Sequence, residues 1–96
     1  MSFQRFQALT ELIKRYRRAN DKDYYTIVIC GFDVYSELKR RCVKIMFETR
    51  EDKQEYFCGS RVVVTKDSNY LGVAYVDKLT GETSNISEIT EEDFKI

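Results

Sequence analysis

Residues 24–32 read YYTIVICGF. Ile27 and Ile29 alternate with Val28 and Cys30, so both sides of an extended chain are apolar. β-branched and aromatic residues dominate, which favours a strand, and apolar residues on both faces favour a central one. The rest of the chain is then read as what pairs with this strand and what covers it.

Upstream, residues 3–19 carry Phe6, Leu9, Leu12, Ile13 and Tyr16 at three- and four-residue spacing. That is the apolar stripe of an amphipathic helix. Ser2 is a suitable N-cap. Glu11 stands four residues before Arg15, a favourable helical pair. Lys14, Arg15 and Arg18 fall on the opposite face, and Asn20 and Asp21 end the helix.

Downstream, the pattern alternates. Val43, Ile45 and Phe47 against Lys44 and Glu48 predict a strand over 43–49. The polar run 49–54 is a hairpin loop. Residues 55–65 (EYFCGSRVVVT) predict a third strand with Gly59 as a bulge. Residues 66–69 form a turn, and residues 70–77 (YLGVAYVD) a fourth strand. Tyr70 and Tyr75 fall on its opposite faces. Lys78–Gly81 is a hairpin loop with Gly81 at positive φ. Residues 82–89 make a polar edge strand. Thr90 caps a last helical turn containing Glu91, Glu92, Asp93 and Phe94. Residues 33–42 admit two readings, a strand or one helical turn that Asp33 caps and that turns Val34 and Leu38 inward. Short connections imply antiparallel neighbours. The expected fold is α+β, an N-terminal amphipathic helix on a twisted antiparallel sheet of about five strands, ordered α-β-β-β-β-β. Such a sheet can curl into a half-barrel. Residues 1–96 are expected to form a single domain of this kind.

Composition narrows the function classes. The chain has 43% hydrophobic and 33% charged residues, enough for one core and a solvated surface. Its formal net charge is zero. Residues 1–44 hold ten basic and five acidic side chains, and residues 45–96 six and eleven. A dedicated nucleic-acid binder is more often basic overall.

Histidine is absent, and the three cysteines, Cys30, Cys42 and Cys58, form no CxxC pair. No metal or other cofactor is therefore expected. A Ser-His or Cys-His dyad is impossible within one chain, and the isolated glycines make no phosphate loop. No enzyme activity is expected. Residues 1–20 lack the apolar run of a secretion signal, and no window is long and apolar enough to span a membrane. Free thiols then point to a cytoplasmic protein without membrane partners.

The candidate site is a partner-binding surface at Tyr35, Lys39, Arg40 and Arg41, with charge added by Arg15 and Arg18. Tyrosine and arginine anchor protein interfaces. The same cations, with Lys14 and Arg17, would equally meet nucleic-acid phosphate if the two groups shared one edge. In size and style the chain resembles small inhibitor proteins encoded by phages and mobile elements, a resemblance without a shared motif. The leading expectation is a virus- or mobile-element-encoded inhibitor that binds a host protein. Nucleic acid is the alternative partner, and a homodimer through the strand at 43–49 is a further one.

Overall fold

The computed structural model describes residues 3–20, 23–41 and 46–90. Helix α1 spans Phe3–Asn20, so the apolar stripe forms as its spacing predicts. Leu9 and Ile13 are fully buried, and Phe6, Leu12 and Tyr16 pack beside them. Arg5, on the same face, is only 5% exposed. Its Nε donates to the Ile89 carbonyl at 2.9 Å and its Nη2 to the Asn69 carbonyl at 2.6 Å. The cation is buried because two backbone carbonyls accept its protons. Ser2 and Asp21 lie outside the described residues.

Strand β1, Tyr24–Gly31, is the central element the sequence implied. It is flanked on both sides, in the order β2-β3-β4-β1-β5-β6. Its neighbours are β4, Ser60–Thr65, and β5, Leu71–Asp77. The outer strands are β2, Phe47–Thr49, β3, Glu55–Phe57, and β6, Ser87–Glu88. The sheet is open, and β2 and β6 are its edges.

Three features differ from the sequence reading. First, of the stretch 33–42, residues 33–41 are neither a strand nor a single turn, and residue 42 lies outside the described residues. Helix α2 runs from Phe32 to Arg41. Val34 and Leu38, four apart, both land on the sheet and are buried, so the turn is extended. Asp33 in its first turn and Lys39, Arg40 and Arg41 in its last complement the helix dipole.

Second, the expected strand over 55–65 breaks at a two-residue turn. Cys58 and Gly59 have φ of 50° and 80°, and Phe57 pairs with Ser60 across them. Positive φ at both central positions is the hairpin geometry that matches strand twist. Gly59 is therefore a turn residue, not a bulge.

Third, the sheet is mixed. β1 and β4 run parallel, with Ile27 beside Arg61 and Cys30 beside Val64. Parallel neighbours need a crossover, and α2 with the β2–β3 hairpin supplies it. The element order is α-β-α-β-β-β-β-β.

Other expectations narrow. Of the strand expected over 43–49, residues 47–49 are β2, while 43–45 lie outside the described residues. The last strand shrinks to Ser87–Glu88 and a single bridge from Thr83 to Val76. Gly81 takes φ of 76° in its hairpin loop. The expected C-terminal turn at 91–94 lies outside the described residues.

Both helices cover one face of the sheet. Leu9, Ile13, Val34 and Leu38 form one core with Val28, Cys30, Phe57, Leu71 and Val73. Each of the Val, Leu, Ile and Phe side chains among them stabilises the fold by about 1.5–3 kcal/mol when fully buried. On the other face Ile27, Ile29, Ala74 and Val76 form a smaller cluster, with Tyr70 against it. Tyr75 faces the helices, with its ring edge-on to Tyr16 and Tyr24. The two tyrosines of β5 and its approach thus lie on opposite faces, as their spacing requires.

Candidate functional site

Burying Val34 and Leu38 fixes the rotation of α2. Tyr35 and Lys39, one turn apart, then face the β2–β3 hairpin. The Tyr35 ring lies between Phe32 and Phe47, at centroid distances of 6.3 and 6.0 Å. Its hydroxyl donates to the Glu55 carboxylate. Lys39 Nζ donates to the Tyr35 hydroxyl at 3.3 Å and pairs with Glu55 Oε2 at 3.2 Å. It also stands over the Tyr35 and Phe47 rings, 5.2 and 5.9 Å from their centroids. Burial, then the bond to Glu55, holds the Tyr35 hydroxyl above the usual phenol range. The bonds to Tyr35 and Glu55 raise Lys39 above the usual lysine range.

Arg40 and Arg41 share one carboxylate. Arg40 Nη2 lies 3.6 Å from Glu37 Oε1, and Arg41 Nε lies 3.7 Å from Glu37 Oε2. Among the described residues, the three cations of α2 therefore face two carboxylates, Glu37 and Glu55. Arg40 extends furthest, with 74% of its side chain in water.

Of the α1 cations, Arg17 reaches a different turn. Arg17 Nη1 donates to the Cys58 carbonyl at 2.9 Å, at the β3–β4 turn. Arg15, two residues earlier, is exposed and turned about 200° around the helix axis from Arg17. No described hydrogen bond, ion pair or ring contact joins Arg15 to Tyr35, Lys39, Arg40 or Arg41. The Arg18 side chain lies outside the described residues.

Sequence reasoning missed the edge of β4. β3 pairs only with Ser60 and Arg61, and no described strand lies against that side of β4 from Val62 onward. Phe57 and Ser60 flank the two-residue turn, so Ser60 directs its amide and carbonyl at β3. By alternation Val62 and Val64 direct theirs to the same side. Val63 and Val64 are 38% and 45% exposed, on opposite faces of the strand. Phe32, at the start of α2, is 62% exposed. The legible signal was the run RVVVT itself, β-branched at its last four positions and carrying one charge. Glu55 was missed too, because twenty residues separate it from Tyr35.

Both described thiols are poor nucleophiles at neutral pH. Burial, aided by the Glu55 charge, pushes Cys30 up to about 11. Burial also raises Cys58, against the opposing pull of Arg17 and Lys14. Cys42 lies outside the described residues. Among the described residues no group of three or more Cys, Asp or Glu side chains is placed to hold a metal ion. No described helix is long and apolar enough to cross a membrane.

No protein-family model matches this sequence, and no curated protein or solved structure matches it.

Proposed function

We propose that this chain is a non-enzymatic protein-interaction module that works in the cytoplasm. We read it as an inhibitor of the kind a virus or mobile element directs at a host protein. The observation that carries the reading is the outer edge of β4, where Val62–Thr65 has no described strand beside it while Val63 and Val64 stand in water. An unpaired, β-branched edge is a template for strand addition. The partner is a protein that presents an extended segment. Backbone pairing with Val62 and Val64 supplies affinity, and side chains on the helix side meet Phe32 and Tyr35. Arg40 and Arg41 favour acidic residues near that segment and steer its approach.

The test has two parts. A tagged wild-type chain and a V64R variant are used to capture partners from host-cell extract, and the captured complex is followed by amide hydrogen exchange. Protection of the Val62 and Val64 amides on binding, with loss of capture by V64R, supports the reading. A tight complex that leaves both amides unprotected refutes it.

The nucleic-acid alternative draws on the same cations, two of whose three charges are offset by Glu37 and Glu55. It is tested by titrating fluorescent DNA and RNA at low and moderate salt. Micromolar binding that weakens steeply with salt and is lost in K39E/R40E/R41E would favour it.

A further inference from the structure

We propose that the groove between α1 and the β3–β4 turn binds an amphipathic anion, a ligand with an apolar body and one carboxylate or sulfonate head. This surface is separate from the β4 edge, and the inference stands independently of the interaction reading.

The groove has a volume of about 460 Å³. That lies within the range of small-molecule sites, about 300–1,000 Å³. Its apolar part is built by Phe3, Phe6 and Ile13 of α1 and by Met46 opposite. Phe6 is held edge-on against Phe57, with centroids 5.9 Å apart, so that wall is fixed. Met46 is the adaptable wall, because an unbranched thioether fits irregular shapes. Phe3 is 69% exposed, a large apolar side chain left in water at one end of the groove.

Charge defines the other end. Lys14 and Arg17, three residues apart, line the same groove. Arg17 spends one N–H on the Cys58 carbonyl, and a guanidinium has four others to give. Lys14 has no ion pair among the described residues. Glu11 also lines the groove, one turn before Lys14. An anionic head is repelled there and attracted one to two turns further on, so the ligand has one preferred direction. Its head lies at Lys14 and Arg17, and its tail runs toward Phe6 and Phe3. From Phe6 to Lys14 the helix rises about 12 Å, the span of a medium-length alkyl chain. The C-terminal dipole of α1 opposes an anion with about half a charge, spread over its last turn. Two full cationic charges outweigh it.

Isothermal titration of the full chain with dodecanoate, below its micelle concentration, tests the proposal. Dodecyltrimethylammonium and acetate serve as controls. Methyl resonances of Met46 and ring resonances of Phe3 and Phe6 report the position. Dodecanoate is expected to bind at micromolar concentration and shift those resonances, at least tenfold more tightly than the cationic amphiphile. Acetate is expected not to bind. The variant K14E/R17Q, checked for folding by circular dichroism, should weaken dodecanoate at least tenfold. K14E alone, which breaks no described contact, should weaken it at least threefold. Equal binding of the two amphiphiles, unchanged affinity in K14E, silent Met46 resonances, or no dodecanoate binding would each overturn the proposal.

Discussion

Gly31 ends β1 where the chain passes within contact of the loop at 67–70. A Cβ built on Gly31 would stand 1.6 Å from the Asp67 carbonyl oxygen and 2.4 Å from the Ser68 carbonyl carbon. Both are backbone atoms, so no side chain can swing aside. Gly31 does not have a left-handed φ, so the cost of Gly31→Ala is contact alone. The loop must withdraw, and three backbone hydrogen bonds go with it. Gly31 donates to Tyr70 at 2.8 Å, and Asp33 and Val34 donate to Ser68 at 3.2 and 3.4 Å. The last two satisfy amides at the start of α2, which have no partner inside the helix. At about 1 kcal/mol each the bonds sum to about 3 kcal/mol. Lower entropy of the unfolded alanine chain returns about 0.4–1 kcal/mol. The net loss is about 2–3 kcal/mol, a large share of the 5–15 kcal/mol typical of a domain. Urea unfolding followed by far-UV circular dichroism measures it. Gly81→Ala is the control, since nothing lies within 4 Å and only its φ of 76° is strained. That strain costs about 1–2 kcal/mol. If Gly31→Ala falls within about 0.5 kcal/mol of wild type, the close approach of loop and strand is refuted.

Three further outcomes are expected. Arg5→Met keeps the apolar stem but strands the Asn69 and Ile89 carbonyls, so urea unfolding should show a loss of about 3 kcal/mol, against under about 0.5 for Arg15→Met. Ser60 is fully buried, and its hydroxyl has no described partner, so Ser60→Ala should leave the urea midpoint unchanged or raise it. A fall of more than about 1 kcal/mol would mean that the hydroxyl is bonded. Finally, the folded chain keeps the Cys30 proton up to about pH 11, while the unfolded chain loses it near its ordinary thiol value. The unfolded state then binds fewer protons, so stability falls as pH rises through that window, by at most about 2.7 kcal/mol. The contribution is complete below the unfolded value. The difference in pH slope between wild type and Cys30→Ala isolates it, and identical slopes would contradict the burial argument.

Local pattern carried much of the fold. α1 and β1 were legible because their periods are carried by the residues themselves: Leu9 and Ile13 four apart, and apolar side chains at every position from Ile27 to Cys30. The Cys58–Gly59 turn was not, because it lacks the Asn or Asp that usually precedes glycine in such turns. The parallel pairing of β1 with β4 was hidden for a different reason. It depends on where α2 delivers the chain, and α2 looked like a single turn because only Val34 and Leu38 anchor it. At the candidate site the residue types were readable but their pairing was not. Glu55 lies far along the chain from Lys39, and nothing in FDVYSELKRR states that a distant carboxylate will cancel one of its charges. Arg5 sits one turn before Leu9 on the inward stripe, so its position marked it for burial, while its charge argued for water.

The central strand has no local partner. Ile27 pairs with Arg61 on one side and with Ala74 on the other, thirty-four and forty-seven positions along the chain. Closing the shorter loop alone costs about 3 kcal/mol of chain entropy. Adjacent pairings such as β2 with β3 and β3 with β4 close small loops, so they are expected to form before β1 is captured. Until then YYTIVICG waits with two vacant edges and apolar side chains on both faces. The first strand to reach it decides the outcome. In dilute solution that strand is its own β4. At high concentration it is the β4 of a second molecule, so the yield of correctly refolded monomer falls as protein concentration rises.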